Sequence, residues 1–310
     1  MSNASLDFDL QKSERSLGTL LNFHCKTLEK VLKLDSGSAR IDVQCLLQTV
    51  LQVNRAYLLG HPEQHLNDDQ HEQYISLLER RLKGEPIAYL LATREFYGLP
   101  FKVSPATLIP RPETELLVEL ALQRIPSVPP HLPPIEKSWC RNEKGKFRVL
   151  DLGTGSGALA LSIAHARPNV EVVAVDSSAD ALKVARENAQ RLNINNVQLI
   201  VSDWFSALQG KRFDLIVANP PYIAINDEHL FQGDVRFEPR SALTSGADGL
   251  DDIHHISTHA KAHLEPGGWL LLEHGYNQAS KVRSLMQQAG FTSIFSEQDL
   301  SGIERVSGGK

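Results

Sequence analysis

The chain has 310 residues, 42% of them hydrophobic, enough for about two domains with ordinary cores. Its 32 Lys and Arg against 37 Asp and Glu leave a net charge of -5 at pH 7, so bulk electrostatics disfavour a long nucleic-acid backbone or an anionic membrane as a partner. The longest stretch free of charged residues, Leu152 to Ala166, is Gly-rich and shorter than the ~18 apolar residues of a membrane span, and Asp7 and Asp9 stand where a secretory signal would be basic and then apolar, so a cytoplasmic protein is expected.

From Ser16 to Leu91 apolar residues recur at helical spacing, with Leu46, Leu47, Val50, Leu51, Leu58 and Leu59 in one stripe and Tyr74, Leu77, Leu78 and Leu82 in another. This predicts a small helical domain over residues 1–92, punctuated at Asp35-Ser36-Gly37-Ser38, Gly60-His61-Pro62 and Gly84-Glu85-Pro86. Arg94 to Val103 turns aromatic and β-branched around Gly98-Leu99-Pro100, which predicts a hairpin within a linker over residues 93–112. In Thr107 to Glu115, Pro110 and Pro112 fix the backbone, and Glu113 or Thr114 is placed to open a helix through Leu120. The stretch from Ile125 to Lys146, with Pro126, Pro129, Pro130, Pro133 and Pro134, reads as an exposed loop. Strands are then expected at residues 148–152, 171–175, 197–201, 215–218, 269–273 and 303–307, with helices between the early ones. That alternation predicts an α/β domain over residues 113–310 with a mostly parallel sheet. Cys25, Cys45 and Cys140 are odd in number and far apart, and read as free thiols rather than a disulfide framework or a zinc site.

The run Val149-Leu150-Asp151-Leu152-Gly153-Thr154-Gly155-Ser156-Gly157 is a strand that breaks into glycines and opens a helix, where backbone can approach a ligand closely and free N–H groups face it. Its G-x-G-x-G spacing departs from the dinucleotide fingerprint G-x-G-x-x-G and points to a smaller nucleoside. Asp176, ending the next strand, is placed to accept hydrogen bonds from ribose hydroxyls. One strand later, Asp203 and Trp204 offer an acid and an indole to the edge and face of adenine, and Asp151 can orient the glycine loop. In this order, the three features resemble the S-adenosylmethionine-dependent methyltransferases.

At the end of the fourth strand of the domain stands Asn219-Pro220-Pro221-Tyr222. The prolines stiffen the backbone and remove two donors, so the Asn219 side-chain oxygen and the Pro220 carbonyl can accept the two hydrogens of a planar NH2 group and aim its nitrogen for in-line transfer. Tyr222 can wall the target and face the sulfonium with its ring.

An [N/D]-P-P-[Y/F] motif is shared by methyltransferases acting on adenine, cytosine or a glutamine amide. This chain adds Arg80-Arg81-x-x-Gly84-Glu85-Pro86-Ile87-Ala88-Tyr89-Leu90, then Glu95 to Leu99, then Leu108 to Glu115 (LIPRPETE), ahead of the core, and Gln232 to Pro239 with Ala242-Leu243 behind it. From about Arg40 to Val306 it resembles the HemK/PrmC-type protein-(glutamine-N5) methyltransferases. The resemblance implies a Rossmann-like class I methyltransferase domain behind a helical bundle and hairpin linker. It implies S-adenosylmethionine as cofactor, S-adenosylhomocysteine as product, and the Gly-Gly-Gln glutamine of class 1 peptide chain release factors as acceptor, contacted through the N-terminal bundle. By the same resemblance Asn219, Pro220, Pro221 and Tyr222 grip the substrate, while Gly153, Thr154, Gly155, Ser156, Gly157, Asp176, Asp203, Trp204 and Asn219 hold the cofactor. Gln44 stands where the family often has Glu, and the Pro-rich stretch resembles an insertion.

Two alternatives weigh less. A sister branch methylates a glutamine of a large-subunit ribosomal protein, but usually lacks the Pro-x-Thr-Glu run of Pro112 to Glu115. A DNA adenine-N6 methyltransferase needs a target-recognition domain and a basic channel, for which little chain remains after Tyr222. Arg111 and Glu113 either line the mouth of the site or cap and pair on the following helix. His255, His259 and His263 recur at helical spacing and would share one face, but no metal is expected. The absence of a sustained coiled-coil pattern leads us to expect a monomer, without direct nucleic-acid contact.

Overall fold

A computed structural model describes residues 15–126 and 146–310. Cys140 and nearly all of the expected Pro-rich loop lie outside the described residues. The chain divides into two compact units, residues 1–92 with 229–237, and residues 93–228 with 238–310.

The first unit is helical, with α1 (Leu17–Leu32), α2 (Ser36–Leu51), α3 (Arg55–Gly60), α4 (Asp68–Leu82) and the single turn α5 (Ile87–Leu90). Side chains at three N-termini supply acceptors that the first helical turn lacks. Asp35 accepts from the Ser38 N–H, Asn54 from that of Tyr57, and Asn67 forms a reciprocal capping box with Gln70. The apolar stripes close on a core of Leu20, Leu28, Val43, Leu46, Leu47, Tyr74 and Leu78. Gln44 is buried there too. The Arg80-Arg81 motif is structural: Arg80 forks onto the Glu85 carboxylate at 2.8 and 2.5 Å, closing the Gly84-Glu85-Pro86 turn. Buried Arg81 bridges Asp42 (2.7 Å) and Asp234 (3.0 Å). Arg236 donates to the Lys83 carbonyl at 2.7 Å. Gly84 takes φ +90°, a conformation that side chains rarely adopt, and a Cβ there would also have to displace the Arg236 guanidinium, 1.8 Å away.

The second unit opens with the hairpin β1 (Thr93–Phe96) and β2 (Leu99–Lys102), whose turn residues Tyr97 and Gly98 both take positive φ, as a two-residue hairpin loop requires. After a 3-10 turn at Pro112–Thr114 come α6 (Glu115–Arg124), β3 (Arg148–Leu152), α7 (Ala158–Ala166), β4 (Glu171–Asp176), α8 (Ala179–Arg191), β5 (Val197–Val201) and β6 (Phe213–Ala218). The chain ends with α9 (Asp251–Ala260), β7 (Leu264–Glu273), α10 (Ala279–Gln288), β8 (Phe295–Gln298) and β9 (Glu304–Gly309). The sheet order is β5-β4-β3-β6-β7-β9-β8, with β5 to β7 parallel and β9 antiparallel to both its neighbours. Strands β3, β4 and β6 and the end of β7 from Leu270 to Glu273 are buried almost throughout, as strands covered on both faces are. One cluster of helix and strand side chains covers each face.

Three expectations need correction. The strand expected at 269–273 begins at Leu264, before Pro266 and two glycines, and β8 carries no strong strand signal. Helix α6 opens directly after Thr114 as expected, but the Thr114 side chain supplies no capping bond and meets Asn219 instead. The three histidines do not share a helical face. The helix α9 ends at Ala260, and His263, in the following 3-10 turn, stacks on Phe205 and hydrogen-bonds the Lys211 carbonyl.

Candidate active site

Where parallel strands end at their carboxyl edge, helix N-termini and loops surround an open crevice. Here β3, β4, β5 and β6 end together, and a cavity of about 390 Å3 is lined by Gly153, Gly155, Asp176, Asp203, Trp204, Asn219 and Pro221, among others. The structure thus gathers predicted residues from four successive strand ends. Thr154, Ser156, Gly157, Pro220 and Tyr222 do not line it.

The glycine loop is held by its own backbone. The N–H groups of Gly153 and Thr154 both donate to the Val175 carbonyl at 2.9 Å. Gly153, Gly155 and Gly157 have φ of 72°, 57° and 84°, a region closed to most side chains. A Cβ at Gly155 would meet nothing within 4 Å, so its bareness leaves open space at the cavity wall, whereas Gly157 packs tightly on Leu161 and Ala185 at the start of α7. Thr154 is buried and donates its hydroxyl to Asp151 Oδ2 at 2.6 Å, and the Ala160 N–H reaches the same oxygen at 3.2 Å. Asp151 therefore does orient the loop. Complete burial pushes its carboxyl up to about 7.

Asp176 accepts the Gly155 N–H on Oδ2 and the Ser178 N–H on Oδ1, both at 2.8 Å. Each oxygen keeps a lone pair for a further donor. Burial raises this carboxyl, opposed by its two backbone partners. Trp204 takes φ +44°, and its ring stands against Gly153. Ser202 braces that strained turn, donating to the Trp204 carbonyl at 2.8 Å and accepting from the Ala207 N–H at 3.0 Å. Asp203 lies exposed on the rim.

At the end of β6, Asn219 donates through Nδ2 to the Thr114 hydroxyl at 3.2 Å. No donor among the described residues engages Asn219 Oδ1 or the Pro220 carbonyl. Tyr222 turns inward, its hydroxyl 3.4 Å from Glu273 Oε1 at the end of β7, and burial beside that carboxyl drives the phenol well up. The Tyr222 carbonyl accepts from Gln278 Nε2 at 3.0 Å, and Gly249 passes so close that a Cβ would lie 2.2 Å from it.

Several supporting residues escaped the sequence reading. Asn188, fully buried in α8, pairs with both backbone groups of Lys102 (2.6 and 2.9 Å) and with the Ser156 carbonyl (2.9 Å), tying hairpin to glycine loop. Its signal was available: a polar residue in line with Ala181, Leu182, Val184 and Ala185 on an apolar helix face. Gln278 and Glu273 gave no such sign. The open question at Arg111 resolves to an ion pair with buried Glu238, whose other oxygen accepts the Ile109 N–H at 3.0 Å. Glu115 accepts the Tyr97 N–H at 2.9 Å, so the LIPRPETE segment holds both the hairpin and Asn219. Glu113 is exposed. Among the described residues there is no His, Cys, Asp or Glu cluster fit to hold a metal ion, and no helix long and apolar enough to cross a membrane.

A seven-stranded sheet with this order and a glycine loop after its first strand define a class I methyltransferase fold. The hMettl16 catalytic domain has the same fold, with a TM-score of 0.53 at 14% identity over 87% of this chain and 91% of that one. Residues 25–91 match the PrmC N-terminal domain family and residues 140–234 the Methyltransferase small domain family. The release factor glutamine methyltransferase of Salmonella typhimurium is 49% identical over 276 residues, covering 89% of this chain and 94% of its own. Its Escherichia coli counterpart is 47% identical over 275 residues, 89% and 93% of the two chains. The chain belongs to the release factor glutamine methyltransferase family.

Proposed function

We propose that this protein methylates the side-chain amide nitrogen (N5) of the Gly-Gly-Gln glutamine in class 1 peptide chain release factors, in the cytoplasm. The observation that carries the reading is the unengaged acceptor Asn219 Oδ1 on a residue lining a cavity suited to a nucleoside, followed in the chain by the Pro220 carbonyl, which also meets no donor among the described residues. The residues fit S-adenosylmethionine. Gly155 leaves room for it, Asp176 offers lone pairs to ribose hydroxyls, and Trp204 and Asp203 offer a ring face and a carboxylate to adenine.

When bound, S-adenosylmethionine supplies an electrophilic methyl group, whose bond to sulfur breaks as its bond to the glutamine nitrogen forms, leaving S-adenosylhomocysteine. Asn219 and Pro220 do the remaining work by accepting both amide hydrogens, which fixes the amide plane and points the nitrogen along the line of attack. Such orientation can supply on the order of 7 to 11 kcal/mol. No general base is required, because the nitrogen sheds its surplus proton to water after transfer.

The test is transfer of labelled methyl to purified release factor, beside a variant in which the Gly-Gly-Gln glutamine is replaced by alanine. Label on the unaltered factor alone is expected. Equal label on both would overturn the acceptor assignment, and label on a large-subunit ribosomal protein instead would move the enzyme to the sister branch.

A further inference from the structure

The two prolines that stiffen the Asn219-to-Tyr222 turn also deprive it of anchors. Pro220 and Pro221 have no N–H, and neither carbonyl accepts a hydrogen bond among the described residues. The turn is therefore held from its ends. Upstream, Ala218 is paired in the sheet with Leu152 of β3 and Leu272 of β7. Downstream, the peptide joining Tyr222 to Ile223 is bonded at both edges. The Ile223 N–H donates to the Leu243 carbonyl at 2.9 Å, and the Tyr222 carbonyl accepts from the Gln278 side chain at 3.0 Å.

The surroundings of Gln278 fix which end of its amide faces the turn. Gln278 is buried immediately before α10, yet its side chain makes no capping bond to that helix. Its Oε1 accepts the Gly275 N–H at 2.8 Å. A backbone N–H can only donate, so the oxygen belongs at that end and the NH2 points the other way. There it meets three carbonyl oxygens, those of Tyr222 at 3.0 Å, Gly249 at 3.3 Å and Asp248 at 3.4 Å. Carbonyls can only accept, so a donor between them is required for their convergence to be favourable. Gly249 lets the chain come this close, since a Cβ there would lie 2.2 Å from the Tyr222 oxygen.

We propose that Gln278 is a positioning residue for methyl transfer: its amide pins the exit of the Asn219-to-Tyr222 turn, and the rigid prolines carry that fixed point back to the Pro220 carbonyl and Asn219. This rests on the gripping role given to those two acceptors above. Gln278 does not line the cavity, so its effect falls on the orientation of the acceptor amide and leaves the hold on the cofactor unchanged.

The experiment compares Gln278→Met, Gln278→Glu and Asn219→Ala in steady-state methyl transfer to release factor, with S-adenosylmethionine binding by calorimetry. Gln278→Met keeps the length and loses both the donor and the acceptor. It should lower kcat about tenfold or more, as small misplacements of reacting groups do, with the cofactor Kd within about twofold of the parent. Gln278→Glu keeps an acceptor for the Gly275 N–H and regains a donor when protonated, whereas its ionised form turns a negative oxygen on three carbonyls. Its kcat relative to the parent should therefore approach one at about pH 6 and fall about tenfold by about pH 9, with the cofactor still bound.

A Gln278→Met enzyme with the parent kcat, beside an Asn219→Ala enzyme that is crippled, would sink this proposal and leave the gripping role standing. Parallel loss of kcat and cofactor affinity in Gln278→Met, the mark of a merely structural residue, would also overturn it. So would a Gln278→Glu ratio that does not change with pH, and that profile decides alone where Gln278→Met yields no folded protein. An unimpaired Asn219→Ala enzyme would instead remove the reading on which it rests.

Discussion

The proposed function gives Asn219 Oδ1 one of the two gripping acceptors, so truncation is a direct test of that role. Asn219→Ala removes one of two acceptors but leaves the glycine loop, Asp176 and Trp204 in place. By analogy with single oxyanion-hole donors, turnover should fall about a hundredfold or more, with cofactor affinity within a few-fold of the parent by calorimetry. Asp176 should behave in the opposite way. Its carboxylate already serves two backbone N–H groups, and the proposed function assigns its spare lone pairs to the ribose. A hydrogen bond to a charged group is worth about 1.5–3 kcal/mol, so Asp176→Ala should weaken cofactor binding roughly ten- to a hundredfold while kcat at saturating cofactor changes little. Calorimetry and saturation kinetics together separate the two residues, because one moves kcat and the other Kd.

Among the elements, helix α8 joins parts of the domain that are far apart in sequence. Its Asn188 satisfies both backbone groups of Lys102 at the end of the hairpin and the Ser156 carbonyl in the glycine loop. Replacing it by alanine strands buried polar groups, each costing about 1–3 kcal/mol. Asn188→Ala should therefore destabilise the domain by about 3 kcal/mol in urea denaturation, and an effect below about 0.5 kcal/mol would show that the tie is redundant. The same helix shows where sequence reading stops. Strands β3, β4 and β6 and the glycine loop were legible because buried parallel strands are apolar runs and because glycines at positive φ have few substitutes. The place of Asn219 to Tyr222 directly after β6 was legible because two prolines cannot continue a ladder strand. Asn188 left a sign, a polar residue on an apolar helix face, but the contacts of Thr114, Glu273 and Gln278 were not legible, since they are defined by partners in distant segments and no local period announces them. The end of α9 before His263 escaped for a related reason: helical spacing of like residues continues in the sequence after the backbone has left the helix.

Across the methyltransferase domain, buried carboxyls set a pH dependence of stability whose sign differs from ordinary acid denaturation. Asp151 is fully buried, and its folded carboxyl is pushed up to about 7, against about 3.9 for an unfolded aspartate. Between those values the folded chain holds a proton that the unfolded chain has released. Folding stability from this group is thus fully present below about pH 4 and is lost as pH rises through about 7, at up to ~1.4 kcal/mol per pH unit. Buried His24, held down to about 4, works the other way: the unfolded chain takes up its proton first, so stability falls as pH drops below about 6.5. The two trends overlap in the whole protein, and a variant isolates one of them. Asp151→Asn keeps an acceptor for Thr154 and the Ala160 N–H and places its NH2 at the position of Oδ1, which has no hydrogen-bond partner among the described residues. It cannot ionise, so its stability relative to the parent should rise from pH 5 to about pH 7 and level off by pH 8. Denaturant titrations of both proteins at several pH values across that range read the difference directly. A constant offset would mean that Asp151 titrates alike in the folded and unfolded chains, and that its burial is relieved by contacts other than Thr154 and Ala160.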